Sequence, residues 1–217
     1  MAGIFKFGQG EPAELAKETP IDRVRFVVLD TELTSLDRRT NRLLSVGAIA
    51  VTGTRIHLGE QFYRLVNPGV AVPSAGVVIH KLRPEDIANA EPPERVLGEL
   101  REFVGNAVLM GHFAEIDRDV LRKEFAALGD HLDNPMICTA RLQRWIVQKS
   151  AYKEDQFRDL ENVDLATLAG LYGLPHQEAH HALDDAFTTA RLWQRQKHSL
   201  AQLGIDTVGQ LLKIGKV

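Results

Sequence analysis

Residues 23–32 read RVRFVVLDTE, and this stretch decides the fold class. The run Phe26-Val27-Val28-Leu29 has no polar alternation, so it predicts a strand over residues 23–30 buried on both faces, stopping where the polar stretch from Asp30 begins. Strands of that kind occur in α/β sheets covered by helices, and the chain around this one fits. A second strand is predicted over residues 43–51. Thr52-Gly53 marks a tight turn into a third, over 54–66, where Ile56, Leu58 and Phe62 alternate imperfectly. Three strands joined by short turns form an antiparallel meander. After Asn67-Pro68-Gly69 the pattern changes to helix and strand in alternation. Pro92-Pro93 opens an amphipathic helix, residues 107–110 form a short strand, and residues 115–128 form a second helix. Short elements follow over 136–139, 140–149 and 164–171, and a long helix lies within 180–200. The polar stretch 149–161 reads as a mobile loop. The expected architecture is α/β: a five-stranded mixed sheet flanked by helices. Residues 1–20 are expected to be a loosely attached arm, 21–200 the domain, and 201–217 a helical tail.

Composition narrows the function. The chain has 217 residues, with 26 basic and 29 acidic side chains and a net charge of −3. A protein that coats nucleic acid through bulk positive charge is excluded, whereas a site whose charge comes from metal ions is not. The single cysteine, Cys138, rules out an internal disulfide scaffold. No segment approaches the roughly 18 apolar residues of a membrane span, and the start lacks the apolar core of a signal peptide. A cytoplasmic location without membrane association is expected.

Three acidic regions carry candidate chemistry. Asp30-Thr31-Glu32 ends the first strand, and residues two apart in a strand point to one side. Two carboxylates held together repel unless a cation intervenes, and hard oxygen donors suit Mg²⁺ or Mn²⁺. The pattern is common in an acidic chain, with about four occurrences expected by chance here, so it needs company. Gly111-His112-Phe113-Ala114-Glu115-Ile116-Asp117 follows a short strand and enters a helix, which places Asp117 in the first turn. His180-His181-Ala182-Leu183-Asp184-Asp185 opens the long helix. His180 and Asp185 converge only if the histidine sits on the loop and the aspartate inside the helix. An imidazole titrating near neutrality suits a general base.

Together these regions resemble the DEDDh 3′–5′ exonucleases, the DnaQ-like branch of the ribonuclease H-like superfamily, which includes the DNA polymerase III epsilon-type proofreading domain. VVLDTELTSLD, GHFAEIDRDVL and HHALDDAFTTARL resemble its three motifs, and the resemblance covers about residues 24–195. It implies a first three-strand meander and a site for two divalent cations, Mg²⁺ or Mn²⁺. By position, Asp30, Glu32 and Asp185 would hold the ion that activates water. Asp30 would be shared with a second ion that Asp117 helps to hold, and His180 would take the water's proton. The register selects His180 over His181 and Asp185 over Asp184. Thr31, Leu33, His80 and Phe113 become candidate contacts to the terminal nucleotide. Three departures concern that grip: Leu33-Thr34-Ser35 stands where the family has Thr-Thr-Gly, Phe113 where it has Asn, and Ile116 where it has Phe.

The implied activity is removal of nucleoside 5′-monophosphates from a nucleic acid 3′ end, DNA favoured over RNA. An RNA exonuclease or oligoribonuclease on the same fold is the alternative, and a binding module with a decayed site is a third. Arg141, Arg144, Lys149 and Lys153 are candidate phosphate contacts. The apolar positions of 201–217 either pack on the domain, with core packing the default, pair between chains, or recruit a polymerase or other protein.

Overall fold

The computed structural model describes residues 16–70, 82–150, 163–175 and 181–217. Five strands form one sheet in the order β3-β2-β1-β4-β5. They are β1 (Arg25–Leu33), β2 (Leu43–Thr52), β3 (Arg55–Leu65), β4 (Val108–Gly111) and β5 (Met136–Cys138). β1 pairs antiparallel with β2, and β2 with β3. β1 pairs parallel with β4, and β4 with β5. The expected meander and mixed sheet are therefore present. In chain order the helices are α1 (Pro84–Ala88), α2 (Pro93–Val104), α3 (Glu115–Ala127), α4 (Thr139–Lys149), α5 (Leu165–Leu171), α6 (Ala182–Gln202) and α7 (Val208–Gly215).

The central strand β1 sorts its side chains between two cores. Phe26 and Val28 face one of them with Ile49, Met110 and Trp193. Val27 and Leu29 face the other with Leu97, Val120, Leu121 and Phe125. All four β1 residues are fully buried, so the unbroken apolar run records a strand covered on both sides. α6 lies along the first face, closest to β1 and β2. Trp193 anchors it there: its ring packs on Phe26 at 5.5 Å, and its Nε1 donates to the Gly53 carbonyl at 2.8 Å. α2 and α3 cover the second face.

Two boundaries differ from the sequence reading. β1 does not stop at Asp30 but runs through Leu33, because Thr31 pairs with Val46 and Glu32 with Ser45. The register shifts between Glu32 and Leu33, a bulge at the end of the strand where it turns away from the sheet. At the other end, residues 16–20 are not loose. Pro20 bridges Thr207, the Val208 and Gly209 amides donate to the Thr19 and Lys17 carbonyls, and Ile21 donates to Asp206. Residues 1–15 of the expected arm lie outside the described residues, as does nearly all of the expected loop 149–161. α7 packs into the first core through Val208 and Leu211, both fully buried, and the Val217 amide donates to Met136 on β5. The tail's inward apolar positions are thus used by its own domain. Among the described residues no helix is long and apolar enough to cross a membrane.

Candidate active site

The C-terminal end of β1 carries alternating side chains to opposite faces. Asp30 and Glu32 point toward α6, Thr31 toward α3. α6 brings Asp185 to the first pair from its opening turns. One carboxylate oxygen from each of Asp30, Glu32 and Asp185 lies within 4.8 Å of the others, a spacing one cation can span. Glu32 is 9% exposed and Asp185 8%. Asp117 arrives from the other side, in the first turn of α3 and 3% exposed. The Thr31 hydroxyl donates to its Oδ1 at 2.6 Å, tying α3 to β1. Gly111 leaves room for this approach, since a Cβ there would sit 3.3 Å from Asp117 Oδ2 and 3.2 Å from the Leu29 carbonyl.

The electrostatics of this cluster are one-sided. Burial pushes the Asp30 carboxyl well above its usual range, and the charges of Asp117, Asp185 and Glu32 push the same way. Glu32 is raised to about 7 by burial and by Asp185 and Asp117. Asp117 is also raised to about 7 by burial, opposed by the hydrogen bond from Thr31. Among the described residues no Lys or Arg pairs with Asp30, Glu32 or Asp117. An all-oxygen donor set this starved of positive charge fits hard divalent cations.

A pH dependence of stability follows. Glu32 and Asp117 titrate near 7 when folded and near 4 when unfolded, so between those values the folded state binds more protons. The metal-free protein is therefore most stable below about pH 4.5 as far as these groups are concerned. It loses that contribution as pH rises to 7, on the order of a few kcal/mol in total. Its melting temperature should fall across pH 5–7.5, and saturating Mn²⁺ should reverse the fall. A metal-free melting temperature that rises over the same window through these groups would contradict this. The Glu32→Gln variant, which should flatten the slope, identifies their share.

A family model for exonucleases, of the RNase T type, matches residues 27–193. The chain belongs to this exonuclease family. A DNA polymerase III subunit epsilon of Aquifex aeolicus is 30% identical over 169 residues, 77% of this chain and 78% of the relative. A DNA polymerase III subunit epsilon-like protein of Rhodobacter capsulatus is 31% identical over 208 residues, 94% of this chain but 28% of that protein. The chain thus spans less than a third of the first relatives it matches. Among solved structures, E. coli Exonuclease I in complex with a dT13 oligonucleotide has a TM-score of 0.69 at 18% identity, covering 84% of this chain and 43% of the other. Exonuclease X in complex with 5′ overhanging duplex DNA has a TM-score of 0.63 at 21% identity, covering 88% and 98%. The fold is that of the DnaQ-like, ribonuclease H-like exonucleases.

The exonuclease domain gathers four of the five proposed reactive residues, Asp30, Glu32, Asp117 and Asp185. The fifth, His180, lies outside the described residues, as do His80 and Lys153. Its neighbour His181 stands at the N-cap position of α6 without a side-chain capping bond, and its carbonyl accepts the Asp185 amide at 3.0 Å. Leu33 is half-buried against the second core. Phe113 packs against the same core and meets the His112 ring edge-on at 4.8 Å. Its φ of 53° is a left-handed conformation that Asn tolerates better than Phe, so this departure carries backbone strain. His112 is a structural residue. Its ring bridges the Thr139 hydroxyl at 2.8 Å and the Val163 carbonyl at 2.7 Å, and burial pushes its pKa down to about 4. Arg141 is engaged within the chain, holding Glu115 at 2.6 Å and the Lys216 carbonyl at 2.6 Å.

Two contributors escape sequence reasoning. Gly47 pairs with Asp30 across β1 and β2, and the backbone at Ala182–Leu183 passes directly over it. Tyr63 pairs with Gly47 across β2 and β3 and stacks on His181. Neither has a local pattern that marks it.

Proposed function

We propose that this chain is a metal-dependent 3′–5′ exonuclease that hydrolyses phosphodiester bonds from the 3′ end of DNA and releases nucleoside 5′-monophosphates. The observation that carries this reading is the convergence of four carboxylates, from both faces of the sheet, on the end of β1. An anionic substrate cannot approach such a cluster unless cations reverse its charge. Asp30, Glu32 and Asp185 would hold one ion, and Asp30 with Asp117 a second. When bound, Mg²⁺ or Mn²⁺ ions supply the Lewis acidity that generates a hydroxide nucleophile and stabilises charge on the leaving 3′ oxygen.

The chain's own groups do the rest. His180 takes the proton of the attacking water, and the stack on Tyr63 that occupies His181 supports assigning that role to its neighbour. Thr31 holds Asp117 in one orientation by its 2.6 Å hydrogen bond. Leu33, His80 and Phe113 contact the terminal nucleotide. The DNA preference draws on the relatives, a DNA polymerase III subunit epsilon and an epsilon-like protein, and on the DNA bound in the solved structures. The same relatives support a polymerase as protein partner.

The test is digestion of 3′-labelled and 5′-labelled DNA and RNA oligonucleotides with Mg²⁺ or Mn²⁺. Stepwise shortening from the 3′ end, faster on DNA and lost with chelator and in His180→Ala, is expected. Faster shortening of RNA would replace DNA by RNA as substrate. No cleavage by folded, metal-loaded protein would leave a binding module. Thr31→Val, which removes the donor and keeps the shape, should weaken Mn²⁺ activation roughly tenfold, as loss of a ligand's supporting partner does. An unchanged Mn²⁺ dependence would show that Thr31 does not orient Asp117.

A further inference from the structure

Asp30, Gly47 and Tyr63 stand side by side across three strands. Asp30 is the Cα partner of Gly47, and Gly47 the partner of Tyr63. Directly opposed residues share a face of the sheet, so this row faces α6. The opening of α6 lies along it. His181 stacks on the Tyr63 ring with centroids 4.5 Å apart and planes 28° apart. The backbone of Ala182 and Leu183 crosses Gly47, and Asp185 meets Asp30. The peptide between stack and carboxylate is pinned as well, because the Asp185 amide donates to the His181 carbonyl.

We propose that Tyr63 is a positioning residue: its ring seats His181, and through that first turn it sets where Asp185 stands against Asp30 and Glu32. This rests on the metal-dependent reading above and deepens it. The ring's Nδ1 stands 3.4 Å from an Asp184 carboxylate oxygen but has no hydrogen-bond partner, so no hydrogen bond at that atom fixes the ring. Aromatic stacking of this kind contributes beyond buried area, and the helix start has no side-chain cap of its own. With one ring face occupied by His181, the Tyr63 ring belongs to the frame of the site.

The test compares Tyr63→Ala, Tyr63→Phe, His181→Ala and the Tyr63→Ala/His181→Ala double variant. Three readouts are needed: Mn²⁺ affinity by calorimetry, amide exchange at Asp185 by NMR, and KM for a DNA oligonucleotide. Tyr63→Ala should weaken Mn²⁺ binding about tenfold and lower Asp185 amide protection, with KM for DNA within about twofold of wild type. Tyr63→Phe, which keeps the ring, should restore both. The double variant should be no worse than either single one, because both remove the same stack. A raised KM for DNA with Mn²⁺ affinity unchanged would make Tyr63 a substrate contact and overturn the proposal. So would additive losses, or a Tyr63→Phe variant as impaired as Tyr63→Ala. If the wild-type protein binds no Mn²⁺, the proposed function fails, and protection at the Asp185 amide still decides the seating.

Discussion

Asp30→Asn is expected to abolish hydrolysis and to leave the metal-free protein more stable than wild type. The two effects have one cause. Asp30 is at the centre of the cluster, where burial and three other carboxylates all oppose its charge. Asn has nearly the same shape, so the strand, its pairing with Gly47 and the fit against α6 survive. What disappears is the negative charge, and with it the donor that the two proposed cation positions would share. Loss of a shared ligand removes the electrostatic stabilisation on which the reaction depends, so kcat should fall at least about a thousandfold. The same change relieves the repulsion of the metal-free site. For a chain of this size each 1 kcal/mol of relief raises the melting temperature by roughly 2–4 °C. The increase should be seen at pH 8, shrink toward pH 5, where neighbouring carboxyls are protonated, and vanish with saturating Mn²⁺, which stabilises only the wild type. Kinetics on a labelled oligonucleotide and melting curves at the two pH values decide both halves. Near-normal turnover would reject the metal mechanism. A lower melting temperature at pH 8 without metal would show that Asp30 contributes structure that Asn cannot replace.

In the proposed mechanism activity and stability are opposed, because the residues assigned to the reaction are those that strain the fold. The sequence marks these residues as candidates but does not show how they are held. Asp30 and Glu32 can be paired from their spacing of two along a buried strand, whereas the choice of Asp185 over Asp184 comes only from the resemblance, since both lie in the first turn of the helix. The two-sided burial of β1 is legible in Phe26 to Leu29, which have no polar alternation. The continuation of β1 through Glu32 is not, because residues 30–33 are polar or mixed and their extended form comes from pairing with Ser45 and Val46 on another strand. Nor is the closing of residues 17–20 on 206–209, since that pairing joins the two ends of the domain. Thr31 is a candidate nucleotide contact through the resemblance alone. That its hydroxyl turns to the opposite face and donates to Asp117, a partner 86 residues away, is not legible in the sequence.

Gly47 is the clearest case of a residue whose importance lies in what it lacks. A Cβ there would stand 2.2 Å from the Leu183 nitrogen and 2.3 Å from the Ala182 carbonyl carbon. Both atoms are backbone, so no rotamer change can make room. Gly47→Ala must therefore lift the start of α6 from the sheet or push β2 away from it. The middle of α6 resists the first, because Trp193, Ala186 and Ala190 are fully buried and Trp193 is hydrogen-bonded to Gly53. β2 resists the second, because it is hydrogen-bonded on both edges. Overpacking of this kind costs typically about 1–3 kcal/mol. The functional cost should be larger, since the peptide that must move lies two to three residues before Asp185. A misplacement of about 1 Å at a reacting centre costs on the order of 10²-fold in rate. Gly47→Ala should therefore fold, melt several degrees lower, bind Mn²⁺ more weakly and turn over on the order of 10²-fold more slowly. Gly59→Ala is the matched control: Gly59 lies on β3, and a Cβ added there would meet nothing within 4 Å, so the same methyl should change neither activity nor metal binding. Comparable losses in the two variants would mean that added bulk in the sheet, and not its collision with α6, is responsible. A fully active Gly47→Ala would mean that α6 reaches its catalytic position without resting on this glycine.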